Sequence, residues 1–215
     1  MKKYESLVKI LDQIRSEAPP QFLRYRPVES DVEKTNQARA KALIHLYLKV
    51  KFGLLDFKDR EAFLTDQAND GGVDAYYIDS ENRKVYFIQS KFRTNAGGFE
   101  QKTISIDELL KMDVDRITKG ETTSESGIRY NDKIQNLIRL IGGIGDPARW
   151  DFIVVILANV KPIEDSKLKR LIGGFPIEVF NHDSSYGKLV FPVVSGTHFN
   201  ASDLRIIITD RCIEK

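Results

Sequence analysis

Apolar residues recur at helical spacing near the start of the chain. Those between Tyr4 and Ile14 fall on one face of a helix, which Pro19 must end because proline cannot donate to the helical ladder. Ser30 or Asp31 can cap the N-terminus of a second helix. The apolar positions that follow predict that this helix continues to about Gly53.

Further along, the pattern changes from helical to extended. Val73–Asp79 and Lys84–Phe92 are rich in aromatic and β-branched residues, and the polar segment Ser80–Arg83 between them predicts a hairpin turn. The segment Asp151–Val160 contains the uninterrupted apolar run Phe152–Ala158, which is typical of a central strand covered on both faces.

The remaining segments give weaker signals. A flexible loop is expected at Asn95–Gly98 because of its paired glycines. Other predicted elements are the helices Ile106–Ile117, Asn131–Ile141 and Ile163–Leu171, and the strands Phe63–Leu64, Ile177–Phe180, Lys188–Val194 and Leu204–Thr209.

This order of elements predicts an α/β protein with a mixed β-sheet flanked by helices. We expect residues 1–215 to form a single domain. Within it, 1–30 would be an N-terminal helical region, 31–180 the core and 181–215 a C-terminal strand extension.

Composition narrows the class of protein. Hydrophobic residues make up 41% and charged residues 30%, and the net charge is +2, so overall charge does not indicate a nucleic-acid binder. The single cysteine excludes an internal disulfide. Neither a signal peptide nor a membrane-spanning run is evident, so we expect a cytoplasmic protein with no membrane partner.

Two other site classes are not favoured. The three histidines are widely separated, which argues against a zinc site, and we expect His45 to be an ordinary, partly buried residue of its helix. The run Ile141–Asp146 contains three glycines but lacks the lysine of a phosphate loop, so no nucleotide cofactor is predicted.

The predicted hairpin brings three polar side chains together. Side chains alternate across a strand, so Gln89 and Lys91 share one face. Pairing Asp79 with Lys84 across the turn fixes a register in which Asp74 lies directly opposite Gln89. A carboxylate, an amide oxygen and an ammonium group are therefore predicted to converge, and a slip of one residue would separate them.

These groups suit hydrolysis of a phosphodiester, which requires a divalent cation to neutralise the phosphate and activate water. Mg²⁺, for which Mn²⁺ can substitute, prefers oxygen ligands; Asp74, Gln89 and the backbone carbonyl of Ser90 could supply them. Lys91 would orient or deprotonate water and stabilise developing charge.

These residues also have a purely structural explanation, in which Asp74 begins an amphipathic strand and Lys91 ends one on a solvated face. We would favour this explanation for either residue alone. We do not favour it for Asp74, Gln89 and Lys91 together, because Gln89 lies in an otherwise apolar strand, where a polar side chain is costly unless it is used or satisfied.

Two segments, Asp70–Ala75 and Ile88–Lys91, resemble the PD-(D/E)XK nuclease superfamily. Within it the chain is most similar to the N-terminal domain of abortive-infection phage-resistance proteins, and next to Mrr-like restriction endonucleases. The resemblance implies the restriction-endonuclease-like fold, Mg²⁺-dependent DNA cleavage and a role in bacterial defence. Gln89 stands where the superfamily more commonly has an acid, although the Mrr-like branch also has glutamine there. Those phage-resistance proteins are longer, so we expect a fragment or a minimal relative.

A neutral Gln89 leaves the metal site in need of another acid. Such nucleases often take one from the helix before the hairpin, where Glu33 is the first choice and Glu61 the alternative. Asp70 is a further candidate ligand, and Asp66 is another candidate of the same kind. Each of these acids, taken alone, is also explained as a surface or turn residue.

Basic and polar residues near the motif are candidates for phosphate contact. Arg93 should continue the face of Lys91, and Gln101 with Lys102 should begin the next helix, whose N-terminus would favour phosphate. A basic cluster, equally well explained as a solubilising helix face, consists of Lys161, Lys167, Lys169 and Arg170.

The leading hypothesis is therefore a Mg²⁺-dependent DNA endonuclease acting in antiviral defence. The alternative is a catalytically inactive nuclease-fold module that binds nucleic acid or another partner, which the neutral Gln89 makes a serious option. A nuclease directed at RNA would use the same chemistry. Cutting both strands with one active site per chain would suggest a homodimer, a question that the sequence leaves open.

Overall fold

The computed structural model describes residues 3–28, 30–65, 67–105, 111–161, 164, 166 and 173–197. The helices in this part of the chain are α1 (Lys3–Ser16), α2 (Val32–Phe52), α3 (Phe57–Ala62), α4 (Ala96–Gln101), α5 (Val114–Thr118), α6 (Asp132–Gly142), α7 (His182–Ser185) and α8 (Phe191–Ser195). The strands are β1 (Ala75–Asp79), β2 (Lys84–Ser90), β3 (Thr103–Ile104), β4 (Asp151–Leu157), β5 (Asn159–Val160) and β6 (Ile177–Val179). A π-helical turn, Tyr186–Val190, joins α7 to α8.

Contacts between residues divide the chain into two compact units. Unit 1 comprises Met1–Ala62, Thr94–Ala96 and His182–Lys215. Unit 2 comprises Phe63–Arg93 and Gly97–Asn181. The described strands therefore all belong to unit 2, and α1, α2 and α3 belong to unit 1.

The two predicted N-terminal helices are confirmed. The apolar face of α1 is buried, and α2 buries its central run Ala42–Leu48. Asp31 caps α2, because its carboxylate accepts the backbone N–H of Lys34 at 3.0 Å. Gly53 ends α2 with φ at +67°, a left-handed conformation that glycine adopts without steric cost.

The sheet of unit 2 has four strands in the order β1-β2-β4-β6. β1 and β2 form an antiparallel hairpin, whereas β2–β4 and β4–β6 pair in parallel. The predicted hairpin register is confirmed from Asp79↔Lys84 to Ala75↔Ile88. The apolar segment Asp151–Leu157 is an interior strand, as predicted. The chain is thus a mixed α/β protein with a mostly parallel sheet and helices, as the pattern of elements indicated.

One face of this sheet carries the core of unit 2. Phe87 of β2 and Val154 of β4 are adjacent on it and fully buried, and they belong to one cluster with Ile117 of α5 and Leu137 of α6. Helix α6 matches the predicted segment and begins at Asp132, directly after Asn131, whose side chain caps it. Helices α5 and α6 therefore share one hydrophobic cluster with strands β2 and β4.

Two predictions of secondary structure are wrong. The segment Lys188–Val194 is helical, not a strand, because Tyr186, Leu189 and Val190 are buried together at helical spacing, and this outweighs the β-propensity of its valines. The expected loop Asn95–Gly98 is largely the start of α4, in which Gly98 and Phe99 are buried.

Other predictions are only partly described. The predicted helix Ile106–Ile117 corresponds in part to α5, whereas residues 106–110 lie outside the described part of the chain. The same holds for most of the predicted helix 163–171 and for the predicted strand 204–209. The predicted strand Phe63–Leu64 is present as a single bridge between Leu64 and Ala75.

Candidate functional site

The predicted site residues meet at one end of the sheet. β2 ends at Ser90 opposite the end of β4 at Leu157, and β1 begins beside them at Ala75. This is the end at which the parallel strands have their carboxyl termini. In open α/β sheets, ligands commonly bind at that end, because the loops there are free to carry functional groups.

Asp74 is attached to β2 on either side of Gln89. Its backbone N–H donates to the carbonyl of Ile88 at 2.9 Å, and its carboxylate Oδ2 accepts the N–H of Ser90 at 2.6 Å. The regular ladder ends at the pair Ala75↔Ile88, so the prediction that Asp74 is the direct ladder partner of Gln89 needs correction. Asp74 instead caps the end of β2 with its side chain, which still brings it next to Gln89.

The bonds of the preceding loop also differ from those of a continued ladder. Continued pairing would place the carbonyl of Val73 opposite the N–H of Ser90. That carbonyl accepts the hydroxyl of Thr65 instead, and the N–H of Thr65 donates to the carbonyl of Asp74 at 2.9 Å. The Ser90 N–H donates to the Asp74 carboxylate and not to the carbonyl of Val73.

Gln89 lies on the same face of β2 as Val85 and Phe87, at the end of an apolar row. The residue is half-buried and its Oε1 atom is buried. Ser90 points to the opposite face, where its hydroxyl is buried and has no hydrogen-bond partner among the described residues. Only the backbone of Ser90 can therefore contribute to a site on the face of Gln89.

Lys91 extends β2 by one further bond, because its N–H donates to the carbonyl of Leu157 at 3.2 Å. With this pairing retained, the alternation of side chains places Lys91 on the face of Gln89. Lys91 is exposed, whereas Asp74 and Gln89 are half-buried. Solvent exposure thus increases from the half-buried carboxylate and amide to Lys91 at the strand end.

The predicted phosphate contacts are located differently from the expectation. β2 ends at Ser90, so alternation no longer determines the face of Arg93, whose guanidinium donates to the carbonyl of Thr103 at 3.4 Å. Gln101 is the last residue of α4 and Lys102 follows it. Both are exposed, but they lie at a helix C-terminus, which repels phosphate, so the prediction that they begin a helix is wrong.

The candidate acids are divided between the two units. Asp70 belongs to unit 2, and its carboxylate accepts the N–H of Gly72 at 2.9 Å in a turn. Glu33 is exposed in the first turn of α2, and Glu61 is buried in α3; both belong to unit 1. Asp66 lies outside the described residues.

The donor set in unit 2 fits Mg²⁺. In the described part of the chain, no three or more His, Cys, Asp or Glu side chains cluster as a metal site. Mg²⁺ does not require such a cluster, because it usually takes one or two carboxylates and fills its other positions with water and substrate. The carboxylate of Asp74, the buried Oε1 of Gln89 and the carbonyl of Ser90 are oxygen donors of the required kind.

The loop before Asp74 is held by a residue that the sequence did not indicate for this role. Asn69, Gly71 and Gly72 all have positive φ, and a Cβ at position 72 would lie 2.6 Å from the carbonyl oxygen of Lys111. The loop is bonded to Asn131, which the sequence indicated only as a helix start. No local signal reveals this second role, because it depends on contacts between distant segments.

Comparison with known proteins adds no relative. The chain matches no protein-family model, no curated protein and no solved structure. Among the described residues, none of the helices has the length and apolar character needed to cross a membrane.

Proposed function

We propose that the chain is a Mg²⁺-dependent endonuclease that hydrolyses DNA phosphodiester bonds, with a restriction-endonuclease-like fold and a role in bacterial anti-phage defence. The observation that carries the proposal is the attachment of Asp74 to the residues on both sides of Gln89, with Lys91 next along the strand. A hairpin followed by a parallel central strand also supports the proposed fold.

Asp74, Gln89 and the carbonyl of Ser90 would hold the metal. When bound, Mg²⁺ supplies neutralising charge at the scissile phosphate and activates water. The Ser90 N–H, donating at 2.6 Å, fixes the orientation of the Asp74 carboxylate before any substrate arrives. Such preorganisation favours catalysis, because the groups need not rearrange during the reaction.

Lys91 would act on the substrate side. Its exposed position allows its ammonium group to contact a phosphate oxygen and an attacking water. Its backbone is held by the bond to Leu157, so the side chain extends from an anchored point. We assign Lys91 the orientation or deprotonation of that water and the stabilisation of developing negative charge.

DNA contact would extend outward from this end of the sheet. Arg93, Gln101 and Lys102 follow β2 in the chain, and the last two are exposed. Phosphate contacts of this type position a duplex without reading its sequence. Because Gln101 ends α4 and Lys102 follows it, neither begins a helix, and their contribution would come from side-chain charge and polarity alone.

The test is cleavage of supercoiled plasmid DNA in Mg²⁺ and in EDTA, with RNA of matched length as a second substrate. We expect Lys91→Ala and Asp74→Asn to reduce the Mg²⁺-dependent rate on DNA by at least about 100-fold, the range for loss of an acid–base or charge-stabilising group. Lys84→Ala, at the other end of the same strand, is the matched control and should retain the rate.

The outcomes separate the alternatives. Equal cleavage by the wild type and both variants would remove this site from the mechanism. Faster cleavage of RNA than of DNA would make the chain an RNA-directed nuclease. The neutral Gln89 favours one other function, an inactive module that binds nucleic acid or another partner. Salt-dependent DNA binding without metal or turnover would identify that module.

A further inference from the structure

The loop that delivers Asp74 has a left-handed backbone conformation at three positions. Asn69, Gly71 and Gly72 have φ values of +61°, +63° and +72°, in the left-handed region. Asparagine adopts this region more readily than most residues, but still at a cost. A loop of this composition has many alternative conformations, so its single native conformation must be held by bonds to other segments.

Asn131 supplies most of these bonds. Its backbone N–H donates to the carbonyl of Asn69 at 2.9 Å. Its side-chain Nδ2 donates to the carbonyls of Thr65 and Ala68, at 3.2 and 3.3 Å. Its Oδ1 accepts the N–H of Ile134 at 3.0 Å and so caps α6. One carboxamide therefore joins the start of α6 to Thr65 and Ala68, and the backbone of the same residue adds the bond to Asn69.

A second attachment holds the glycines. The N–H of Asp113 donates to the carbonyl of Gly71 at 2.8 Å, and the hydroxyl of Tyr130 donates to the Asp113 carboxylate at 2.8 Å. Burial and the neighbouring Asp113 raise the pKa of Tyr130, so this hydroxyl keeps its proton. The loop is thus fixed from two sides, and Asn131 is adjacent in sequence to the tyrosine that supports the second.

The bonds of Asn131 lead directly to Asp74. Asn131 donates to the carbonyl of Thr65, and the N–H of Thr65 donates in turn to the carbonyl of Asp74 at 2.9 Å. The same threonine donates its hydroxyl to the carbonyl of Val73, and the Asp74 carboxylate accepts the Ser90 N–H. Asn131 is therefore linked through Thr65 to the backbone on either side of the Val73–Asp74 peptide bond.

We propose that Asn131 is a positioning residue of the metal site: its carboxamide holds the loop that places the Asp74 carboxylate. This inference rests on the nuclease function proposed above. Asn131 does not touch the substrate, and its effect passes through Thr65 to Asp74. Substitution of a residue that orients a metal ligand typically lowers metal affinity or activity by about 10- to 100-fold.

Two substitutions separate the helix cap from the loop bond. Asn131→Asp keeps an oxygen for the N–H of Ile134, and a carboxylate is also favourable at a helix N-terminus. It replaces the Nδ2 donor with an oxygen facing two carbonyls. Asn131→Ser also keeps a capping oxygen and removes the donor without adding charge. Both variants should therefore fold with α6 intact.

The first readout needs neither metal nor substrate. The amide of Ser90 reports directly on the Asp74 carboxylate, because that carboxylate is its acceptor. We expect hydrogen exchange at Ser90 and Gly72 to accelerate by about 10-fold or more in both variants, since local opening becomes easier. Exchange at Phe87, in the middle of β2, should stay unchanged and serves as the internal control.

The second readout is the Mg²⁺ dependence of plasmid cleavage. We expect the half-saturating Mg²⁺ concentration to rise by about 10- to 100-fold in both variants, with the KM for DNA within about twofold of the wild type. Unchanged exchange at Ser90 in both variants would overturn the proposal, as would unchanged Mg²⁺ dependence in an active enzyme. If the wild type does not cleave, the proposed function fails, and the exchange measurement alone decides whether Asn131 positions Asp74.

Discussion

Each unit of the molecule contains a cluster of polar side chains, and the two clusters differ in how they meet solvent. In unit 1, Tyr25, His45, Arg60 and Glu61 form what we call the His45 cluster. The hydroxyl of Tyr25 donates to Glu61 Oε2 at 2.5 Å, and His45 Nε2 lies 3.0 Å from the same oxygen. His45 and Arg60 have no solvent exposure. In unit 2, the site residues lie at a strand end, with Lys91 exposed.

The hydrogen bonds of the His45 cluster define its protonation. Arg60 Nε is always a donor and lies 3.3 Å from His45 Nδ1, so that nitrogen accepts and Nε2 carries the proton. Arg60 also donates to the carbonyls of Leu54 and Leu55 and pairs with Glu17. His45 is therefore neutral and fully buried, which corrects the expectation of a partly buried helix residue.

The comparison shows which polar clusters are suited to chemistry. The His45 cluster contains an imidazole, a carboxylate and a phenol, but its groups bind one another and His45 has no route to solvent. Such an arrangement stabilises a fold. The strand-end site combines half-buried oxygen donors with an exposed Lys91, so a ligand can reach it. Accessibility, more than the residue types, distinguishes the two.

The largest expected effect tests the structural role of the His45 cluster. Arg60→Ala should lower the free energy of unfolding by about 3–5 kcal/mol, because it leaves buried partners without their cation. Urea unfolding measures this change. Arg149→Ala, which removes an exposed pair with Asp146, is the control and should cost less than about 1 kcal/mol. A similar loss of unfolding free energy in the two variants would contradict the view that the His45 cluster is a buried, mutually bonded structural element.

A smaller effect follows from the acid–base behaviour of His45. Burial, together with the positive charges of Arg60 and Arg24, lowers its pKa from 6.5 to about 3. The unfolded chain therefore binds a proton below pH 6.5 that the folded chain does not. The contribution of His45 to the free energy of unfolding should be fully present above pH 6.5. Between pH 6.5 and 3 this contribution should fall by up to about 1.4 kcal/mol per pH unit.

Urea unfolding at pH 7.5, 5.5 and 4.5 measures that slope. His45→Gln, which cannot titrate, is the control and should show a shallower decrease over the same range. The carboxylate partner Glu61 remains present in both proteins, so the difference in slope isolates the imidazole. Equal slopes for the wild type and His45→Gln would show that His45 does not account for the acid sensitivity.

The smallest expected effect concerns the loop of the strand-end site. Gly72→Ala and Gly120→Ala both introduce a side chain at positive φ, which costs about 1–2 kcal/mol. Only at Gly72 would the new Cβ meet a backbone oxygen, that of Lys111. Gly72→Ala should therefore cost more in urea unfolding and should also slow plasmid cleavage. Equal losses of stability, with cleavage unchanged, would show that the loop adapts without moving Asp74.

Local patterns predicted the hairpin well. The turn at Ser80–Arg83 and the alternation along the strands were sufficient for the register from Asp79↔Lys84 onward. The same features predicted that Asp74, Gln89 and Lys91 lie close together. The same reasoning failed at Lys188–Val194, where β-branched residues suggested a strand but burial at helical spacing produced a helix. It also failed at Gln101, which ends a helix instead of beginning one.

The sequence by itself determined the hairpin register, the interior strand Asp151–Leu157 and the neighbourhood of Asp74, Gln89 and Lys91. These follow from alternation and turn formation, which act over a few residues. Only the tertiary structure decided that Asp74 caps the end of β2 and that its loop is held by Asn131. The bond from Asn131 to Thr65 joins residues 66 positions apart, and such a bond forms only when packing brings their segments together.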